Sequence, residues 1–297
     1  MTNNQELKSK LKGCFTALIT PMKNGKIDEE SFCNFVEWQI QQGIQGLVPC
    51  GTTGESPTLD HDEHNKVIEL CVKQAKNRVP IIAGTGSNAT HEAISMTKYA
   101  ASLGVDAALI VTPYYNKPTM EGIYQHFKAI NDSVDIPLII YNVPGRTITD
   151  IDDKTIARLA SLKNVVGIKD ATGDLARIDS LRALLGDDFI YISGDDFTSL
   201  EFNKKGGQGS ISVTANVLPK MSADMQTLSF AGKWDEAQII DDTLLPVHEV
   251  MFIETSPIPA KYAVSFMGKC STELRLPLCE PSSDSKKKIE QVIKTLI

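Results

Sequence analysis

Residues 79–112 read VPIIAGTGSNATHEAISMTKYAASLGVDAALIVT. Two continuous apolar runs, 79–83 (VPIIA) and 107–112 (AALIVT), enclose a segment that reads as an amphipathic helix over 90–103. Apolar runs of this length without alternation fit strands buried on both faces, as in a parallel sheet. Thr90 stands where a helix N-cap belongs and Gly104 where a helix stops. The unit is strand–helix–strand, and it recurs in both directions along the chain. Further apolar runs lie at 15–20 (FTALIT), 46–50 (GLVPC), 136–141 (IPLIIY), 165–168 (VVGI), 189–192 (FIYI) and 209–213 (GSISV). Helical segments read at 29–42, 60–77 and 120–133, with Asp28 and Asp60 at cap positions and Gly43 at a stop. Alternation over eight strands predicts an α/β protein of the (β/α)8 TIM-barrel class. A doubly wound sheet is the alternative, with fewer strands and a reversal of order.

Past about residue 232 the alternation ends. Segments 233–252, 257–268 and 284–297 read as helices without strands between them. The expected division is a catalytic barrel over 1–232 and a small C-terminal helical domain over 233–297.

Composition narrows the function. The chain has 297 residues, 42% apolar and 23% charged, enough for a large core. Its net charge of −7 gives no broad positive field for nucleic acid or an anionic membrane. The apolar runs fall far short of the ~18 residues of a membrane span. The N-terminal MTNNQELKSKLKG is polar and lacks a signal-peptide core. Cys14, Cys33, Cys50, Cys71, Cys270 and Cys279 are scattered without a CxxC pair, as expected of reduced thiols in a cytoplasmic protein.

Chemistry-bearing residues gather at the C-terminal ends of the strand candidates, where barrel enzymes carry their sites. Lys169 directly follows VVGI, and a two-residue period puts it on one face with Val165 and Gly167. Val166 and Ile168 then face the helices. A lysine pointing inward is desolvated, and its neutral amine can attack a carbonyl to form a Schiff base. The same residue could equally be a buried lysine held in an ion pair. Tyr141 ends the preceding strand and is expected beside Lys169, as a proton shuttle or as an aromatic filling the barrel top. Thr52 and Thr53 sit in the glycine-flanked GTTGE, able to bind a carboxylate or pass a proton, or simply forming a turn. Arg146, in NVPGRT, could clamp a substrate carboxylate or lie in an exposed loop.

Two patterns are set aside. GTGSNA at 84–89 matches a dinucleotide fingerprint, but the acidic residue that should end the next strand, Asp106, precedes it. His61 and His64 stand three apart at a helix start, yet no HExxH pattern or acid cluster completes a metal site.

The motifs GTTGE (51–55), IIAGTGSNAT (81–90), VTPYYNKP (111–118), YNVPGRT (141–147), GIKDATG (167–173), SGDD (193–196) and SVTAN (212–216) recur in one family. In this order and spacing the chain resembles the dihydrodipicolinate synthase branch of the pyruvate-dependent class I aldolase and N-acetylneuraminate lyase family. The resemblance covers nearly the whole chain. It implies condensation of pyruvate with L-aspartate 4-semialdehyde, with no metal and no organic cofactor. Lys169 would form the imine, Tyr141 would donate and accept protons, and Thr52 and Tyr115 would complete a relay. Thr53 and the backbone at Ile211 would hold the pyruvate carboxylate, with Gly194 nearby, and Arg146 would hold the second substrate. Arg146 also separates this branch from the neuraminate lyases. Tyr115 would reach a neighbouring subunit within a homotetramer.

In feedback-inhibited members L-lysine binds through residues matching Ser56, Pro57, His61, His64, Asn88, Glu92 and Tyr114. Here Pro57 stands where alanine is frequent, and Asp170 replaces a common glutamate. A sister sugar-acid aldolase and a non-catalytic barrel binding lysine or a keto acid are the competing functions.

Overall fold

Asp28 accepts a hydrogen bond from the Ser31 N–H at 3.1 Å, and Asp60 accepts one from the Glu63 N–H at 2.8 Å. Each thereby closes the first turn of a helix, Glu29–Gln41 and His61–Ala75 respectively. The second is a full capping box, because the Glu63 carboxylate accepts in turn from the Asp60 N–H. The computed structural model that shows these caps describes residues 4–296. Besides a short antiparallel hairpin of Met22–Lys23 and Lys26–Ile27, its strands are β1 (Gly13–Ala17), β2 (Gly46–Val48), β3 (Ile82–Gly84), β4 (Ala107–Val111), β5 (Leu138–Asn142), β6 (Val165–Asp170), β7 (Ile190–Ser193) and β8 (Gly209–Ser212). They alternate with helices, and the fold is of the (β/α)8 TIM-barrel class. Among the described residues no helix is long and apolar enough to cross a membrane.

The chain falls into two compact units, one of residues 1–13 and 80–211, the other of 14–79 and 212–297. These units cut the chain differently from a boundary at 232, which marks the end of alternation along the sequence.

The first unit carries β8, β7, β6, β5, β4 and β3 as successive neighbours. All the paired strands whose register is defined run parallel. Its helix-facing layer is largely apolar, with Ile110, Phe127, Leu138, Ile140, Ile156 and Ile168 among its members. β3 starts later than the apolar run suggests. Pro80 has no N–H to give a ladder, and the Ile81 N–H goes instead to the Asp106 carboxylate at 2.7 Å. Thr90 is the first helical residue rather than the cap, which is Ala89. Its hydroxyl is engaged by Nδ1 of His126, 3.0 Å away.

The second unit pairs β1 with β2 in parallel, Phe15 opposite Gly46. A Cβ on Gly46 would come to 2.0 Å from the Phe15 ring, so glycine is what leaves room for that ring. The unit also holds the helices Trp234–Met251, Ile258–Phe266 and Ser283–Ile293. They match the three C-terminal helices expected, with the last ending before the chain does.

Candidate active site

In the first unit the strand register sets the chemistry. Tyr141 is the direct partner of Lys169 across the β5–β6 ladder, and Val111 is the partner of Tyr141 on the other side. Lys169 is 6% exposed and Tyr141 8%. The Lys169 Nζ lies 4.1 Å from the centre of the Tyr141 ring. Among the described residues no ion pair engages Lys169.

One expectation about β6 needs correcting. Val165 does not share the face of Lys169; it packs with Leu138 and Ile168 in the helix-facing core. The cause is a register shift. Leu138 pairs with Val165, but the next residue, Ile139, already pairs with Gly167, so Val166 is an extra residue. Beyond it the period is regular, and Ile168 faces the helices as expected while Lys169 faces the other way.

Asp170 therefore turns to the helix side. Its carboxylate meets the Arg177 guanidinium at 3.2 Å and accepts from the Asn142 amide at 3.3 Å. The hydroxyl of Thr172 donates to it as well. Asn142 also binds Asp150, at 2.9 Å, so residues immediately after both Tyr141 and Lys169 are tied to one polar network. No motif or spacing marks Arg177, which lies on the helix Leu175–Leu185.

Gly194 follows β7 directly. A Cβ there would come within 2.8 Å of Lys169 Cε and of Ala171 Cβ. Glycine is thus the residue that leaves room for the lysine chain. Ile211 is buried in β8. Arg146 is exposed on the single-turn helix Pro144–Thr147, which begins two residues after β5. Tyr115 has φ +70° and is 94% exposed, a left-handed residue with its ring extended from the loop after β4.

Three of the residues expected to bind lysine meet in this unit. The Asn88 amide donates to the Tyr114 carbonyl at 3.1 Å, and Asn116 donates to the Asn88 carbonyl at 2.9 Å. Glu92 accepts from the Ser87 hydroxyl at 2.7 Å. Burial first, and then the Glu92 charge, push the Tyr114 phenol upward from its ordinary range.

In the second unit Thr52 and Thr53 form a single 3-10 turn, Thr52–Gly54, with Thr53 buried. Ser56 and Pro57 lie in a second such turn, Ser56–Thr58. His61 is exposed at the start of its helix and His64 is buried one turn on. Lys261 and Glu55 are both fully buried and paired, and neither is among the expected site residues. A lone charge inside the apolar run IPAKYAV (258–264) is the signal that could have exposed Lys261.

The model of the dihydrodipicolinate synthetase family matches residues 10–296. The chain belongs to that family. A 4-hydroxy-tetrahydrodipicolinate synthase of Parvibaculum lavamentivorans is 56% identical over 278 residues, covering 94% of this chain and 96% of its own. The chloride-inhibited dihydrodipicolinate synthase from Acinetobacter baumannii, solved with pyruvate, superimposes with a TM-score of 0.93 at 46% identity, over 96% of this chain and 98% of that one. The synthase from Cyanidioschyzon merolae, solved with lysine bound, gives 0.92 at 34% identity, over 96% and 99%. A member of the dihydrodipicolinate synthetase family is an enzyme, a lyase of amino-acid biosynthesis.

Proposed function

We propose that the chain is a 4-hydroxy-tetrahydrodipicolinate synthase that condenses pyruvate with L-aspartate 4-semialdehyde on Lys169, on the diaminopimelate route to L-lysine. The observation that carries this is the buried, carboxylate-free amine of Lys169 lying against the Tyr141 ring. The pyruvate bound in the Acinetobacter baumannii relative supports the choice of keto acid.

The amine attacks the keto carbon of pyruvate, and Tyr141 passes the proton that lets water leave. The protonated imine then draws electrons from the methyl carbon, which loses a proton to become an enamine. The enamine attacks the aldehyde carbon of the second substrate. Its free amine finally attacks the imine carbon, closes the ring and releases Lys169. No cofactor enters this sequence. Thr52 and Tyr115 extend the proton relay, Thr53 and the Ile211 backbone hold the pyruvate carboxylate near Gly194, and Arg146 takes the carboxylate of the semialdehyde. The exposed ring of Tyr115 suits a residue that serves a neighbouring subunit, and the active form in this reading is a homotetramer in the cytoplasm.

L-lysine is the expected inhibitor. We assign its site to Ser56, Pro57, His61, His64, Asn88, Glu92 and Tyr114, and the lysine bound in the relative from Cyanidioschyzon merolae supports the choice of ligand. Glu92 neutralises the ligand's amine and Asn88 holds its carboxylate.

Borohydride reduction with pyruvate tests the reading. It predicts a pyruvate adduct on Lys169, and an unmodified Lys169 refutes it. Turnover with L-aspartate 4-semialdehyde then separates this function from that of a sister aldolase, which forms the adduct but not the product.

A further inference from the structure

The turn that carries Thr52 and Thr53 ends on an unusual residue. Glu55 lies at φ +57°, in the left-handed region, between the turns Thr52–Gly54 and Ser56–Thr58. A side chain is uncommon there unless its surroundings fix it. Here the backbone is fixed on both sides. The Glu55 N–H donates to the Thr52 carbonyl at 3.1 Å, and the Glu55 carbonyl accepts from the Thr58 N–H and hydroxyl, both at 3.0 Å. The Gly54 carbonyl accepts from the Thr20 hydroxyl at 2.8 Å.

The carboxylate supplies the anchor. Glu55 is 1% exposed and Lys261 0%, and they form a direct ion pair. The other carboxylate oxygen accepts from the Arg275 N–H at 3.0 Å, and the Lys261 ammonium also donates to the Glu273 carbonyl at 2.9 Å. Stability alone does not account for such a pair, because apolar residues of similar volume often serve a core as well or better. What an ion pair adds is a fixed direction for the chain that bears it.

We propose that Glu55 and Lys261 are positioning residues, their buried ion pair setting the Thr52–Thr53 turn so that its hydroxyls meet pyruvate correctly. This rests on the roles given to the two threonines under the proposed function. It assigns neither residue a contact with substrate. A misplaced turn affects pyruvate use in particular, whereas a loss of folded protein lowers kcat and kcat/KM for both substrates alike and leaves each KM unchanged.

The test replaces both partners at once, Glu55→Leu with Lys261→Met, so that no charge is left buried alone. Wild type is first trapped with pyruvate and borohydride; absence of an adduct overturns the catalytic reading itself and this proposal with it. Where the adduct forms, the double variant is expected to keep a thermal midpoint near that of wild type while kcat/KM for pyruvate falls about 10- to 100-fold. Its kcat/KM for L-aspartate 4-semialdehyde should stay within about twofold. A double variant whose kcat/KM for pyruvate matches wild type overturns the proposal, as does an equal loss toward both substrates. Should the double variant not fold, Glu55→Gln gives the comparison. It keeps the shape but removes the charge and turns one of the two accepting oxygens into an amide donor, and an unchanged kcat/KM for pyruvate overturns the proposal there too.

Discussion

Lys169 and Tyr141 are paired across two parallel strands, with the lysine nitrogen 4.1 Å from the centre of the phenol ring. Backbone register, rather than loop conformation, therefore holds the amine and the phenol together. Replacing Tyr141 with Phe keeps the ring and removes the proton carrier. Turnover should fall by about 10²- to 10⁴-fold while borohydride still traps pyruvate on Lys169. Lys169→Ala should lose the adduct altogether, as read by intact mass. A Tyr141→Phe enzyme with wild-type kcat would remove the phenol from the mechanism.

Arg146 is exposed on a one-turn helix close to β5. Arg146→Ala should raise KM for L-aspartate 4-semialdehyde by about 10- to 100-fold, the worth of ~1.5–3 kcal/mol for a charged hydrogen bond. The yield of pyruvate adduct should not change. An equal loss of adduct would show that the residue serves the first substrate instead.

Gly194 has no room for a methyl group, since a Cβ would meet Lys169 Cε at 2.8 Å and the Asp170 carbonyl at 3.1 Å. Gly194→Ala should destabilise the fold by about 1–3 kcal/mol through overpacking. It should also slow imine formation by more than that loss of folded protein explains, because the lysine chain is the softer neighbour. Denaturant melts alongside trapping rates would show the gap, and trapping at the wild-type rate would contradict it.

His126 gives a stability signature in acid. Burial alone lowers its imidazole to about 4 from an ordinary 6.5, while Nδ1 faces the Thr90 hydroxyl at 3.0 Å. The unfolded chain then takes up a proton below 6.5 that the folded chain refuses until about 4. Stability from this group is complete above 6.5 and declines as pH falls through that window, by about 3 kcal/mol in total. His126→Gln should flatten this part of the curve. Identical pH dependence in wild type and variant would exclude the imidazole as its source.

Millimolar L-lysine should reduce activity, and His61→Ala or Glu92→Ala should relieve the inhibition without abolishing turnover. Activity indifferent to lysine in the wild type would reject the regulatory site and leave the catalytic reading intact.

The fold was legible because most strands sit in apolar runs and several helices carry a cap that does what its residue type suggests, as Asp28 and Asp60 do. Lys169 was legible for the same reason, as the one lysine closing such a run. The Val165 face was misread because a two-residue period holds only while the ladder is regular, and an extra residue has no sequence mark of its own. Lys261 was overlooked because a lysine on a helix is ordinarily solvated, and only its partner, 206 positions away, makes burial tolerable. Thr90 was misplaced by one residue because its hydroxyl found a distant imidazole instead of its own helix.

The extra residue near the start of β6 divides that strand into a base and a tip with independent parity. Substitutions at the base can follow the demands of the surrounding helices without rotating the amine at the far end. Heritable change in packing and heritable change in reactivity are thus uncoupled along six residues of one strand, and a lineage can retune either while holding the other constant.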